Sequence, residues 1–310
     1  MGTMTPVNAT TPPVGAPGDS TCVRVGDVEL AYETFGRPDD PPVLLVMGLG
    51  AQMHYWPAAF CHALTDRGLY VVRYDNRDVG LSTHLHDRGP VDLQALLAGG
   101  GAPPPYGLTE LAADAVGLIE ALGLRSVHLV GISLGGMIVQ LVAIDYPERV
   151  RSLVSIASTT GDRSVGGAKP EVLAALLASP GTSREEVIEH ALALSQVIGS
   201  PGFDRGERWL RWRTGRAFDR SYDPAGVSRQ AATAFTATDR TRRLGEVRVP
   251  TLVVHGAADP LVDVSGGRAT AAAIPGAELL VIDGLAHDLP PGVWPQLADA
   301  LAAVVRRAQA

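Results

Sequence analysis

Two hydrophobic rhythms run along the chain. From Cys22 to Phe35 apolar and polar positions alternate on either side of Gly26-Asp27, a pair suited to a tight turn, and this predicts a hairpin. After it come short, nearly continuous apolar runs: Val43–Met47, Tyr70–Tyr74, Val127–Val130, Leu153–Ile156, Thr251–Val254 and Leu279–Ile282. Strands covered on both faces read this way. Helical stretches separate most of them. Leu111, Ala115, Leu118, Ile119 and Leu122 recur at three and four residues, with Thr109 as a capping residue and Gly123 as the stop. Further helices are predicted over 57–66, 134–146, 264–273 and 292–307. Strands alternating with helices make an α/β fold with a mainly parallel, doubly wound sheet of about eight strands.

One connection does not fit that scheme. A strand-helix-strand unit takes roughly 30 residues, yet the segment from Thr159 to Val249 carries no strand pattern. It predicts a helical lid over 159–249, inserted into a core formed by 22–158 and 250–310. Its helices are expected at 172–177, 184–198, 208–218 and 226–237. They carry Trp209, Trp212, Phe218 and Phe235, most of which serve the packing of the lid itself. Gly99 to Pro105 reads as a surface loop, and no internal repeat is visible.

Composition narrows the classes of function. Of 310 residues 46% are hydrophobic, enough for a sizeable core, and the net charge of −7 argues against nucleic acid or an anionic membrane as partner. A small molecule is the expected partner; oligomeric state is not legible. Cys22 and Cys61 are too few for a disulfide framework and lack metal-ligand spacing, so both are expected as reduced thiols. Residues 1–21, rich in Thr, Pro and Gly, have neither a basic start nor an apolar run, so a disordered tail and a cytoplasmic protein are expected.

The chemistry centres on Gly131-Ile132-Ser133-Leu134-Gly135. Chance supplies G-x-S-x-G about 0.2 times in a chain of this length and glycine content, so the motif alone is weak. Its place between the strand 127–130 and the helix 134–146 gives it weight, because a sharp strand-turn-helix lifts a serine hydroxyl out and leaves no room for side chains two residues to either side. A serine needs a base. Of the histidines at 54, 62, 84, 86, 128, 190, 255 and 287, His287 lies in the loop after the last strand, where sites form in open α/β sheets. His128 reads as a strand histidine with its hydrogen bonds met. Asp259, in the loop after the preceding strand, is the expected orienting carboxylate, with Asp263 and Asp162 as lesser candidates; Asp283 and Asp288 are expected to face solvent. The oxyanion donors are expected to be the backbone N–H groups of Leu134 and of Leu49 in Gly48-Leu49-Gly50. The absence of G-x-G-x-x-G and its lysine argues against nucleotide binding.

These residues carry a resemblance. Val46-Met47-Gly48, Trp56-Pro57, Arg73 to Thr83, Tyr106-Gly107, Glu110 to Val116, Val130 to Gly136, Val249 to Val254 and Gly284 to Pro290 resemble the α/β-hydrolase superfamily, and within it the aclacinomycin methylesterase type of serine esterase. The resemblance implies Ser133 as nucleophile, Asp259 as acid, His287 as base, Leu49 and Leu134 as oxyanion donors, and no metal or organic cofactor. Met47-Gly48 stands where the superfamily commonly has His-Gly, a trait of the methylesterase-like members. Leu49 stands where that subgroup can have glycine, which bears on the acyl pocket. Arg77 and Asp78 are expected to organise their loop.

The expected activity is hydrolysis of a carboxylic ester, such as a methyl ester of a polyketide-type or other apolar acid. Met53, Trp56, Met137, Trp209 and Trp212 are the candidate substrate contacts. Lactone opening and perhydrolysis need the same triad. Epoxide hydrolysis and dehalogenation on this fold use an aspartate at the elbow, so Ser133 argues against them. An acyltransferase or cyclase of natural-product biosynthesis, and a small-molecule binding protein on a hydrolase scaffold, are the non-hydrolytic alternatives.

Overall fold

In the computed structural model, which describes residues 20–204 and 206–309, the pleat of a strand divides its side chains between two cores. In β3 (Pro42–Val46), Val43 and Leu45 enter one cluster with Trp56, Phe60, Leu64 and Leu301. Leu44 and Val46 enter the other, with Leu111, Leu118, Ile138 and Val142. One helical layer therefore covers each face, and each apolar run is explained by burial on both sides.

The hairpin forms as predicted from β1 (Thr21–Val25) and β2 (Val28–Phe35). Then follow β3, α1 (Ala58–Thr65), β4 (Tyr70–Tyr74), α2 (Leu93–Leu97), α3 (Leu108–Ala121), β5 (Val127–Ile132), α4 (Leu134–Asp145) and β6 (Val150–Ile156). A run of helices comes next: α5 (Pro170–Leu177), α6 (Arg184–Ile198), α7 (Glu207–Arg220), α8 (Pro224–Thr236) and α9 (Thr241–Leu244). The chain returns to the sheet with β7 (Thr251–Gly256), α10 (Val264–Ala273), β8 (Glu278–Ile282) and α11 (Trp294–Arg307). Among the described residues the strands form one eight-stranded sheet, ordered β1-β2-β4-β3-β5-β6-β7-β8. β1 and β2 are antiparallel to their neighbours, and the rest of the sheet is parallel.

Four expectations are revised. The cap of α3 is Gly107, whose N–H donates to Glu110 Oε2 at 2.8 Å, and Thr109 lies inside the first turn. β8 is an edge strand with Leu279 exposed, so its apolar run is not covered on both faces. The short helices α2 and α9 were not expected, since four or five residues carry too little periodicity to register. Of the expected tail, residues 1–19 lie outside the described residues, while Thr21 already belongs to β1. No helix among the described residues is long and apolar enough to cross a membrane.

The helices α7 and α8 are fastened by charge to the loop that follows β4. Arg229 of α8 donates to both oxygens of Asp78, at 2.8 and 2.7 Å, with both side chains fully buried. Arg220 of α7 lies 2.6 Å from Asp75, which also accepts the N–H groups of Met53 (2.7 Å) and Leu81 (3.0 Å). Arg77 makes a two-pronged pair with Asp114 of α3, each prong 2.6 Å. Planar guanidinium forks suit such sites because they match a carboxylate edge to edge.

Deleting one partner of a buried pair strands the other charge. Arg229→Met is therefore expected to lower the free energy of unfolding by about 3–5 kcal/mol in urea titrations. Adding Asp78→Asn is expected to restore part of that loss, because no lone charge is then left behind. A second prediction concerns Glu33, which accepts from Arg73 Nε (3.1 Å) and faces His54 Nε2 (3.0 Å). Burial alone would raise its pKa, but His54 and Arg73 outweigh burial and hold it at about 2, below the ordinary 4.5. A carboxyl with a depressed folded pKa contributes stability above its unfolded value and loses it as pH falls through the folded one. The excess Tm of wild type over Glu33→Gln is expected to be full at pH 7, to shrink below about 4.5 and to vanish near 2.

Candidate active site

Ser133 sits where β5 ends and α4 begins, with φ of 57° and ψ of −120°, a conformation costing a non-glycine residue about 1–3 kcal/mol. Its surroundings hold it there. Its N–H donates to Ile156 O at 2.9 Å, and its carbonyl accepts from the Ser158 hydroxyl at 2.8 Å and Met137 N–H at 3.2 Å. The flanking glycines are required by close approach: a Cβ on Gly131 would lie 2.1 Å from Gly135 O, and one on Gly135 would lie 2.2 Å from Val46 O.

His287, in the loop after β8, places Nε2 3.0 Å from Ser133 Oγ and Nδ1 2.8 Å from Asp259 Oδ2. Asp259 follows β7, and its other oxygen accepts the N–H groups of Leu261 and Val262, each at 2.9 Å. Because the carboxylate accepts at Nδ1, the proton of a neutral ring belongs there, leaving the Nε2 lone pair to the serine hydroxyl. His255 packs beneath: it donates to Val262 O at 2.8 Å and lies 3.6 Å from Asp259, with burial pushing its pKa down. Asp263 accepts from Ser265 N–H and Asp162 from Ser164 N–H, so both lesser candidates serve local turns.

The loop Gly48-Leu49-Gly50 closes against the serine, since a Cβ on Gly48 would lie 3.2 Å from Ser133 Cβ. Asn76 donates to Met47 O at 3.0 Å and Gly50 N–H to Gln230 Oε1 at 2.9 Å, which fixes the loop at both ends. Between those anchors the Leu49 N–H has no protein acceptor among the described residues, and neither has that of Leu134 at the start of α4.

The loop of His287 is held largely by α6 and the residues after it. His287 N–H donates to Ile198 O (3.0 Å), Ala286 N–H to Ser200 Oγ (2.8 Å), Ser200 N–H to Asp288 Oδ1 (3.1 Å) and Gly202 N–H to Gly284 O (2.9 Å). The Ser200 hydroxyl also donates to Asp288. Asp288 therefore does not face solvent as expected; burial raises its pKa, while Asp283 is exposed. Sequence reasoning missed Ser200, Asp288, Asn76 and Gln230. The only linear trace of the first is the Gly199-Ser-Pro-Gly202 break after α6.

The candidate substrate contacts divide. Trp56 is a correction: it is fully buried and stacks on Phe60, with ring centroids 5.7 Å apart, as part of the core under α1. Met53 is also fully buried, and its N–H is fixed by Asp75. Trp212 is exposed, with Arg216 5.6 Å from its ring, so it faces solvent. Met137 is half-buried against the core on the α4 side. Trp209 is buried against Trp294, at 6.3 Å, and against Arg213. His128 is only half satisfied: Nδ1 meets Ser152 Oγ at 2.8 Å, Nε2 has no partner, and burial pushes its pKa down to about 4. His84, His86 and Asp223 bring three metal-type donor atoms within 4.8 Å of one another, but both nitrogens of His84 already have partners in Asp223 and Gly80 O, and Arg229 shares Asp223.

Residues 41–290 match the family profile described as alpha/beta hydrolase fold. The chain belongs to that family. Among curated hydrolases it is similar to the rhodomycin D methylesterase of Streptomyces peucetius, 30% identical over 91% of this chain and 96% of the relative. A poly(3-hydroxyalkanoate) depolymerase of Ectopseudomonas oleovorans is 31% identical over 80% and 78% of the two chains. Among solved structures, a hydrolase from Pseudomonas aeruginosa PA01 matches 95% of this α/β-hydrolase chain and 99% of its own at 25% identity, with a TM-score of 0.67. The enol-lactonase from Burkholderia xenovorans LB400 shares the fold at 22% identity, covering 93% and 99% of the chains with a TM-score of 0.67.

Ser200 provides a check on how α6 and the His287 loop are coupled. Ser200→Ala removes the acceptor of Ala286 N–H and a donor to Asp288. It is expected to lower kcat on an aryl ester about tenfold with little change in KM, because a shift of His287 disturbs its hydrogen bond to Ser133 and leaves binding contacts in place.

Proposed function

We propose that this chain is a serine esterase that hydrolyses a carboxylic ester through an acyl-enzyme on Ser133, with a methyl ester of a polyketide-type or other apolar acid as the preferred substrate class. The observation that carries the reading is the chain of hydrogen bonds from Ser133 Oγ through His287 to Asp259, at 3.0 and 2.8 Å. The similarity to a rhodomycin D methylesterase over nearly the whole chain supports the choice of ester.

In this reading His287 Nε2 takes the hydroxyl proton as Ser133 Oγ adds to the ester carbonyl, and Asp259 stabilises the imidazolium that results. The oxyanion forms against the N–H groups of Leu49 and Leu134, which have no competing acceptor among the described residues. His287 then gives its proton to the departing alcohol. Water attacks the acyl-enzyme by the same sequence, with its proton passing to His287, and the free acid leaves. Residues 159–249 act as the lid over the acyl pocket, and no metal or organic cofactor takes part.

The test uses a short aryl ester and a serine-reactive phosphonate. Wild type is expected to turn over the ester and to carry the phosphonate on Ser133. Ser133→Ala is expected to lose about 10³-fold or more in kcat while keeping its Tm within a few degrees. A wild-type protein that neither turns over the ester nor forms the adduct would sink the proposal.

A further inference from the structure

Arg213, on α7, is a half-buried cation without an acid to pair with. Its guanidinium carbon lies 4.0 Å from the centre of the Tyr55 ring and 4.2 Å from that of Trp209, so aromatic rings flank it. Its Nε has no accessible surface and no hydrogen-bond partner, and among the described residues Arg213 makes no hydrogen bond or ion pair. The other arginines in the protein interior have their donors met: Arg77 and Arg229 each hold a carboxylate edge to edge, Arg73 puts two donors on one oxygen of Glu33, and Arg240 donates to Gln140 Oε1 and to the carbonyls of Thr159 and Thr238. Stacking on aromatic rings returns only part of what desolvating a guanidinium costs, so packing alone is a poor reason for a charge here where methionine or leucine would fit.

The position is also informative. Tyr55 follows the Gly48–Gly50 loop by a few residues, and Asp288, the carboxylate whose charge acts on Arg213, directly follows His287. Arg213 thus lies against a residue just past one of the loops beside Ser133 and within electrostatic range of the residue that follows His287 in the other. Asp288 is no substitute for a partner, because it lies beyond ion-pair distance and is engaged by Ser200. With rings at its faces and Nε sealed, the open part of the group is the edge carrying the two terminal nitrogens. That edge presents parallel in-plane N–H donors, the geometry that takes a planar oxyanion with two hydrogen bonds.

We propose that Arg213 is a specificity residue, and that the acid part of the substrate carries a second oxyanion, a carboxylate or a group of like shape and charge, which seats on the open edge of Arg213 while the ester lies at Ser133. This rests on the esterase reading and narrows its substrate class from an apolar acid to one with an anionic group at a distance from the ester. Trp209, a candidate substrate contact, then acts through Arg213 by holding the guanidinium plane.

The test compares 4-nitrophenyl hemiesters of dicarboxylic acids, from glutarate to suberate, with neutral 4-nitrophenyl alkanoates of matched length. Wild type is expected to favour at least one hemiester over its neutral match by tenfold or more in kcat/KM, with the gain in KM. Arg213→Met is expected to reduce that preference at least tenfold, and Arg213→Lys, which keeps the charge but loses the fork, to reduce it less. Separately, in Ser133→Ala, free dicarboxylates of the same lengths are expected to perturb tryptophan fluorescence saturably, an effect lost when Arg213→Met is added. Absence of any hemiester preference in wild type together with absence of dicarboxylate binding overturns the proposal, as does an Arg213→Met variant that slows both ester series by the same factor. If no ester is turned over yet dicarboxylates bind in an Arg213-dependent way, the subsite stands and the hydrolytic reading fails.

Discussion

Asp75-Asn76-Arg77-Asp78, directly after β4, brings three charges into a place where water is excluded, and the rest of the molecule is arranged around keeping each of them paired. Arg220 and Arg229 reach in from the inserted helices, and Asp114 from α3, so the helices cannot leave without exposing or stranding a charge. The same four residues set the ground beneath the site. Asn76 holds Met47 O, Asp75 holds Met53 N–H, and Gln230 joins Arg77 O to Gly50 N–H. The loop beside Ser133 is thereby fixed from both its ends by one buried polar network. Burying such a network costs least when its charges are met by several partners, as Asp75 and Asp78 are, although the Asn76 side-chain oxygen has no partner among the described residues.

A second constraint is local. Ser133 occupies backbone space that favours glycine, and the turn survives because sheet and helix over-determine it: β6 takes its N–H, Ser158 takes its carbonyl, and Gly131 and Gly135 let the chain pass within contact of itself. The proposed nucleophile is rigid for that reason. The proposed base, His287, lies on a loop after an edge strand and borrows its support from α6 and the residues after it.

Most of the fold was legible because burial writes itself into short patterns. The runs at 43–47, 70–74 and 127–130 were read as doubly covered strands, and the pleat of β3 into two cores is the physical content of that reading. The long helices α6 and α10 lie over the residues expected, Arg184–Ile198 and Val264–Ala273. β8 misled because an edge strand carries the same residues as a central one, and the sequence has no mark for a missing neighbour. At the site, Ser133, Asp259 and His287 could be picked out because each lies just past a strand end, and the structure brings them within hydrogen-bond reach. Ser200 could not, because a hydroxyl that acts through contacts more than eighty residues away has no local signature. Trp56 was misread for a related reason: aromatic content says nothing about which way a ring faces, and here it lies in the core.

The pairing of Ile198–Gly202 with Gly284–Asp288 has a consequence for how such proteins diverge. Helical insertions are the natural place for substrate range to change, since a new pocket can be tried without rebuilding the sheet. In this chain the helices between β6 and β7 are not a detachable module: a chimera that exchanged the whole of 159–249 would at the same time unhook His287. Grafts that keep the five residues 198–202 as part of the recipient are the ones that leave the reacting groups in register, so the boundary for recombination runs inside the insertion and not at its ends.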